Sequence, residues 1–231
     1  MNDRNILSKN SSIILFFEPG TEWKGNLEVN GDVYFSDRCS VLGNVTANNV
    51  YFCNRCNDRN IMAKGNFICG DGNSFNNILA EGSVKTGSYN IFEAIRTKNN
   101  ISISDFTRFG ELYTESSASI GLMCLGYCVQ AKLDVSISFY SVVDYIFSER
   151  NVYAGAWSCI KNIEADGLVK LAEDVKITNI YTFGKVLLGI ATKVFDRIVA
   201  ESVEAEEPFI PNCIIMQLVD EMQKQNINVT S

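Results

Sequence analysis

The stretch Asp166-Gly-Leu-Val-Lys-Leu-Ala-Glu-Asp-Val-Lys-Ile-Thr-Asn-Ile-Tyr-Thr-Phe183 decides the fold. Val169 and Leu171, Val175 and Ile177, and Tyr181 and Phe183 form pairs two residues apart, and successive pairs stand six apart. Two-residue spacing puts both members on one face of an extended strand, because strand side chains alternate. Every third such position is instead polar, small or glycine, as at Gly167, Glu173 and Asn179. Those positions read as corners. A strand that bends at each corner yet buries its next pair must wind around a common axis, since so short a repeat cannot bury its apolar face alone.

Working outward, the six-residue template spans Leu125 to Ile190, with inward pairs expected at Tyr127/Val129, Leu133/Val135, Phe139/Ser141, Tyr145/Phe147, Asn151/Tyr153, Trp157/Cys159, Ile163/Ala165 and Leu187/Gly189. It also fits the start of the chain, through Leu15/Phe17, Thr21/Trp23, Leu27/Val29, Val33/Phe35, Cys39/Val41, Val45/Ala47 and Tyr51/Cys53. Corners there carry Gly25, Gly31, Asp37, Gly43 and Asn49, types that tolerate positive φ or hydrogen-bond their own backbone. The polar run Asn54 to Asn60 breaks the phase and reads as a loop bulging from a corner. From Asp71 to Gly121 the pairs Ile78/Ala80, Val84/Thr86, Asn90/Phe92, Ile101/Ile103, Leu112/Thr114 and Ala118/Ile120 persist with slips, which read as short insertions at corners.

The expected fold is all-β: a single-stranded β-helix solenoid over 13–190, with roughly three strands and eighteen residues per coil. Residues 1–12 read as a flexible tail and 191–231 as a C-terminal extension. Within that extension Ile214, Ile215, Leu218, Val219 and Met222 fall on one stripe of a helix expected at about 212–225, a surface for capping the solenoid or for assembly. An isolated helix of that length needs such a partner surface.

At 231 residues and 46% hydrophobic content the chain can fill one continuous elongated core. A formal charge of −7 and a pI near 4.8 argue against a nucleic-acid partner. The first ten residues lack the basic start and apolar core of a secretory signal, and cytoplasmic localisation is expected. The eight cysteines then read as buried thiols, and Cys53 with Cys56 lacks the second ligand pair that zinc requires. No cofactor, metal or small-molecule substrate is indicated.

The repeat Gly25-Asn-Leu-Glu-Val-Asn-Gly-Asp-Val-Tyr-Phe, echoed at Gly43-Asn-Val-Thr-Ala, Gly65-Asn-Phe-Ile-Cys and Gly82-Ser-Val-Lys-Thr, resembles the bactofilins. That family consists of polymer-forming cytoskeletal proteins with a right-handed β-helical core, which assemble end to end without nucleotide, often near membranes. The resemblance implies a scaffold whose partner is itself, as a homo-oligomer or filament, with other proteins or the membrane periphery as further partners. This chain departs from the family in its longer ladder, irregular middle and expected C-terminal helix.

Catalytic residues are not expected. The chain has no histidine, which removes the usual nucleophile pairs and the commonest general base. Outward Asp144, Glu149, Asp166, Glu173 and Asp174 beside Lys170 and Lys176 could serve a carbohydrate-active β-helix enzyme, but mixed charges at such positions read more simply as a solvated face. A monomeric adaptor using one face as a binding platform is the other alternative to a self-associating scaffold.

Overall fold

A computed structural model describes residues 5–9, 12–206 and 214–217. The described chain is all-β and divides into two compact units, the first ending at Gly121 and the second starting at Leu122. Each unit is a parallel β-solenoid. In unit 1 short strands such as Phe67–Cys69 and Val84–Thr86 stack into one sheet, and seven-residue strands such as Ser74–Ala80 and Ile91–Thr97 into another. Unit 2 repeats the plan, with Val152–Ala154 on Val169–Leu171 and Cys159–Ala165 on Lys176–Thr182. An antiparallel strand, Asn5–Lys9, lies against Ser12–Phe17 at the start.

The coil is shorter than expected. Stacked equivalents such as Asn49 and Asn66, or Asn151 and Leu168, stand 17 residues apart. The first coil is one residue longer, pairing Ile14 with Asp32 and Leu27 with Val45. The seven-residue strands explain the difference. Their alternation breaks once, at two successive outward residues such as Asn76 and Asn77, so the chain bends within the strand. The inward pairs of one coil are therefore Phe67/Cys69, Asn73/Phe75 and Ile78/Ala80, separated by two steps of six residues and one of five.

That five-residue step corrects the strict six-residue phase of the second half. Ile163/Ala165, Val169/Leu171 and Val175/Ile177 are buried as expected. One coil away on either side the inward pairs are Ile146/Ser148 and Thr182 with Ile180, each one residue from the expected Tyr145/Phe147 and Tyr181/Phe183. Tyr127, Phe139, Tyr153, Trp157 and Phe183 consequently face solvent. The six pairs expected between Ile78 and Ile120 are all buried, and their slips are the regular short step rather than insertions.

Like residues stack on like along each row, which buries apolar surface continuously. Phe17, Phe35 and Phe52 stack with centroids 4.6 and 4.3 Å apart. Val135, Val152, Val169 and Val186 are fully buried at one inward position. The repeated glycines have a steric cause: a Cβ on Gly43 would lie 2.3 Å from the Gly25 carbonyl oxygen, so adjacent corners touch backbone to backbone. Gly25 itself holds φ +99, as corner chemistry predicts.

Two expected elements differ. The polar run Asn54 to Asn60 enters strand Asn57–Ala63 rather than a loop, its polar side chains facing outward except for Asp58. Ile214 and Ile215, assigned to a helix, lie in strand Ile214–Gln217, which pairs parallel with Lys193–Ala200 through Arg197 and Ile214. The open edge supplies the backbone partners that a short helix would otherwise have to make within itself. Leu218, Val219 and Met222 lie outside the described residues.

Candidate functional site

One corner of every coil holds its residue at positive φ. In unit 1 these are Gly20, Arg38, Arg55, Gly72, Tyr89 and Phe106, and in unit 2 Met123, Tyr140, Trp157, Asp174 and Ala191. The conformation aims the corner N–H along the stack. Arg55 donates to the Asp71 carbonyl, Gly72 to Ser88, Tyr89 to Asp105 and Trp157 to Glu173, at 2.9 to 3.1 Å. For a residue with a Cβ the left-handed region costs about 1 to 2 kcal/mol. Large apolar side chains at these corners are unfavourable for folding and solvation alike, which marks them as functional candidates.

In unit 1 the preceding positions build a side-chain ladder. Asp37 Oδ1 accepts from the Asn54 backbone N–H and Nδ2, Asn54 Oδ1 from the Asp71 N–H, and Asp71 Oδ1 from the Ser88 N–H. This ladder fixes the floor of an open groove of about 530 Å³ lined by Asp37, Arg38, Asn54, Arg55, Asp71, Gly72 and Tyr89. Neither guanidinium pairs with another described residue. Tyr89 is 62% exposed and stacks on Phe106, with centroids 4.9 Å apart and planes 3° from parallel.

In unit 2 the same corner carries an apolar face. Tyr140 stacks on Trp157 at 5.1 Å, and Phe139 lies 6.3 Å from the same ring. Two residues after each corner comes a second outward row, where Leu125 aligns with Val142 and Val142 with Cys159. Met123, Leu125, Phe139, Tyr140, Val142 and Trp157 are each about 40 to 50% exposed. Sequence reasoning assigned Phe139 and Trp157 to the core. The signal that separates them is the small inward residue directly after each corner: Ser141 follows Tyr140, the neighbour of Phe139, and Ser158 follows Trp157.

Cys53 and Cys56 do not converge. Cys53 Sγ shares a 2.8 Å hydrogen bond with the Tyr34 hydroxyl, which raises the Tyr34 phenol above its ordinary value, whereas Cys56 Sγ is buried and donates to the Ser36 carbonyl. Hydrogen bonding from Cys56 pulls the Cys39 thiol down to about 7, and the same contact with burial raises Cys56. No cluster of metal-ligating side chains occurs among the described residues. Asp144, Lys170 and Lys176 lie on strands of unit 2 and Asp174 at one of its positive-φ corners.

Asp58 is a charged residue that sequence reasoning missed in the core. It occupies the inward row continued by Phe75, Phe92 and Phe109, is 5% exposed, and has one carboxylate oxygen without a partner. Desolvation raises its pKa to about 7 against the opposing Arg59 N–H.

No helix among the described residues is long and apolar enough to cross a membrane. No protein-family model matches the chain, and no curated protein or solved structure matches it significantly.

Proposed function

We propose that this chain is a non-enzymatic scaffold with a right-handed coil, like the bactofilins it resembles, that works by associating with further copies of itself, here through a lateral face where the bactofilins join end to end. The observation that carries the reading is the apolar face of unit 2, where Tyr140 stacks on Trp157 at two strained, exposed corners beside the exposed Phe139, Leu125 and Val142. A flat row repeating at one strand spacing, about 4.8 Å, is matched in period by another parallel solenoid. The partner always present at equal concentration with that period is a second copy, so a lateral homotypic contact is the economical occupant. Cytoplasmic localisation is part of the proposal, and a membrane-peripheral partner enters it through the resemblance.

Sedimentation velocity and negative-stain imaging across a concentration series test it. The native chain should form larger species as concentration rises, and Tyr140→Gly with Trp157→Gly should sediment as a monomer with little change in melting temperature, because relief of the left-handed strain offsets the lost stack. A native chain that stays monomeric throughout would overturn the proposal.

A further inference from the structure

We infer that the groove at Gly72 is a binding slot for a neutral saccharide, whose pyranose ring takes the place of the side chain missing from that corner. The inference stands on unit 1 alone and does not require self-association.

The corner row runs Arg38, Arg55, Gly72, Tyr89, Phe106, with one side chain per strand spacing except at Gly72. Tyr89 and Phe106 show how rings sit here: parallel within 3° and 4.9 Å apart, one coil on the next. Phe106 covers one face of Tyr89, and the opposite side borders Gly72 and the groove. The neighbours of Gly72 stand two strand spacings apart, about 9.6 Å. A ring resting over Gly72 thus lies about one spacing from the Tyr89 ring and one from the Arg55 side chain, and continues the stack.

The lining selects the chemistry. Arg38 and Arg55 offer donors that no other described residue engages, while Asp37 and Asp71 use Oδ1 within the ladder and, among the described residues, keep Oδ2 for an incoming donor. Two cations and two anions leave no net charge, which disfavours phosphate or another strong anion. Alternating donors and acceptors at the edge of an aromatic platform match vicinal hydroxyls, each of which both donates and accepts, around a ring whose C–H face can lie on Tyr89. The groove is open to solvent, so a chain can pass across it with one ring seated.

The backbone at Gly72 makes a decisive variant available. Gly72 holds φ +69, beside φ +61 at Tyr89 and +55 at Phe106, so this corner already accommodates bulky residues. A Cβ there would meet Arg55 Cγ at 3.6 Å, an ordinary contact. Gly72→Tyr therefore fills the slot at the same backbone strain that Tyr89 and Phe106 already carry, without a steric clash.

The experiment titrates the full chain with cellohexaose, maltohexaose and hexa-N-acetylchitohexaose, reading backbone amide shifts and saturation transfer from protein to sugar. At least one should bind, with shifts centred on Asp71 to Tyr89. Gly72→Tyr should weaken that binding by about tenfold or more. Tyr89→Ala and Arg55→Gln, both at exposed side chains, should weaken it too and keep the test valid if Gly72→Tyr does not fold. Trp157→Ala, in unit 2, should leave it unchanged. Failure of all three sugars to bind at roughly 10 mM, or native-like affinity in a folded Gly72→Tyr, would overturn the inference. So would tighter binding of inorganic phosphate than of any sugar. None of these outcomes bears on whether the chain self-associates.

Discussion

The ring of Tyr89 lies over that of Phe106 at 4.9 Å, although both residues hold the left-handed backbone conformation. The stack returns about 0.5 to 1.5 kcal/mol, close to the cost of one strained corner. Two such corners are strained and one stack offsets only one of them, so the pair is net unfavourable for folding, and its presence at the surface points to binding.

Phe106→Gly should accordingly change the melting temperature little, because relief of backbone strain offsets the lost stack. Phe106→Val should melt lower, since a β-branched side chain keeps the strain, adds crowding and cannot stack. Thermal unfolding followed by circular dichroism checks the ordering, and a larger loss for glycine than for valine would contradict it.

Asp58 should make stability depend on pH. Its folded-state value of about 7 lies above the ordinary carboxyl value of 3.8, so the folded chain binds the proton more tightly. That contribution is complete below about pH 4 and is lost as pH rises through about 7. Asp58→Asn should be more stable than the native chain at pH 8, by a few kcal/mol at most, and the advantage should vanish near pH 4. Denaturant unfolding at the two pH values measures it. An equal difference at both would show that the carboxyl is not desolvated.

Val175 is fully buried and its neighbour Lys176 faces outward. Val175→Asp should destabilise unit 2 by about 3 kcal/mol or more, because the carboxylate would have no partner in the core. Lys176→Asp should cost less than about 1 kcal/mol. Matching midpoints for the two would refute the inward phase at this position.

Asn73 links three coils. Its Oδ1 accepts from the Cys56 N–H, its own N–H donates to Asn90 Oδ1, and its Nδ2 donates to the Cys53 and Gly70 carbonyls. Asn73→Leu should cost about 2 to 4 kcal/mol, since it strands several buried backbone groups. Asn77→Leu, in the exposed ladder to Asn60, should cost under about 1 kcal/mol. Hydrogen exchange at Cys56 provides a direct readout, and unchanged protection in Asn73→Leu would mean that another group satisfies it.

Much of the fold was legible because Val169, Leu171, Val175 and Ile177 state the inward alternation without ambiguity, and one coil is enough to require a solenoid. The bend inside the long strand was not legible, because it carries no glycine or proline in most coils: Asn76 and Asn77, or Lys161 and Asn162, are outward residues that a strict alternation simply misplaces. One residue of drift per coil then sent Trp157 and Phe139 into the expected core. The groove was hidden for another reason. Gly72 sits between Asp71 and Asn73 in a run that reads as an ordinary turn, and its meaning comes from Arg55 and Tyr89, which reach it through stacking and not through sequence proximity.

Because each coil bonds to its immediate neighbours, the number of coils is a quantity the gene can alter while the cross-section stays fixed. Excising 152–168 would seat Val169 where Val152 now stands, keeping every corner, ladder and core row in place. Removing one residue more would rotate the remaining alternation out of its sheet. Tandem duplication or loss of one coil's worth of codons is therefore tolerated where smaller insertions are not, and the length of such a protein can be inherited in whole rungs, as a ruler is cut at its marks.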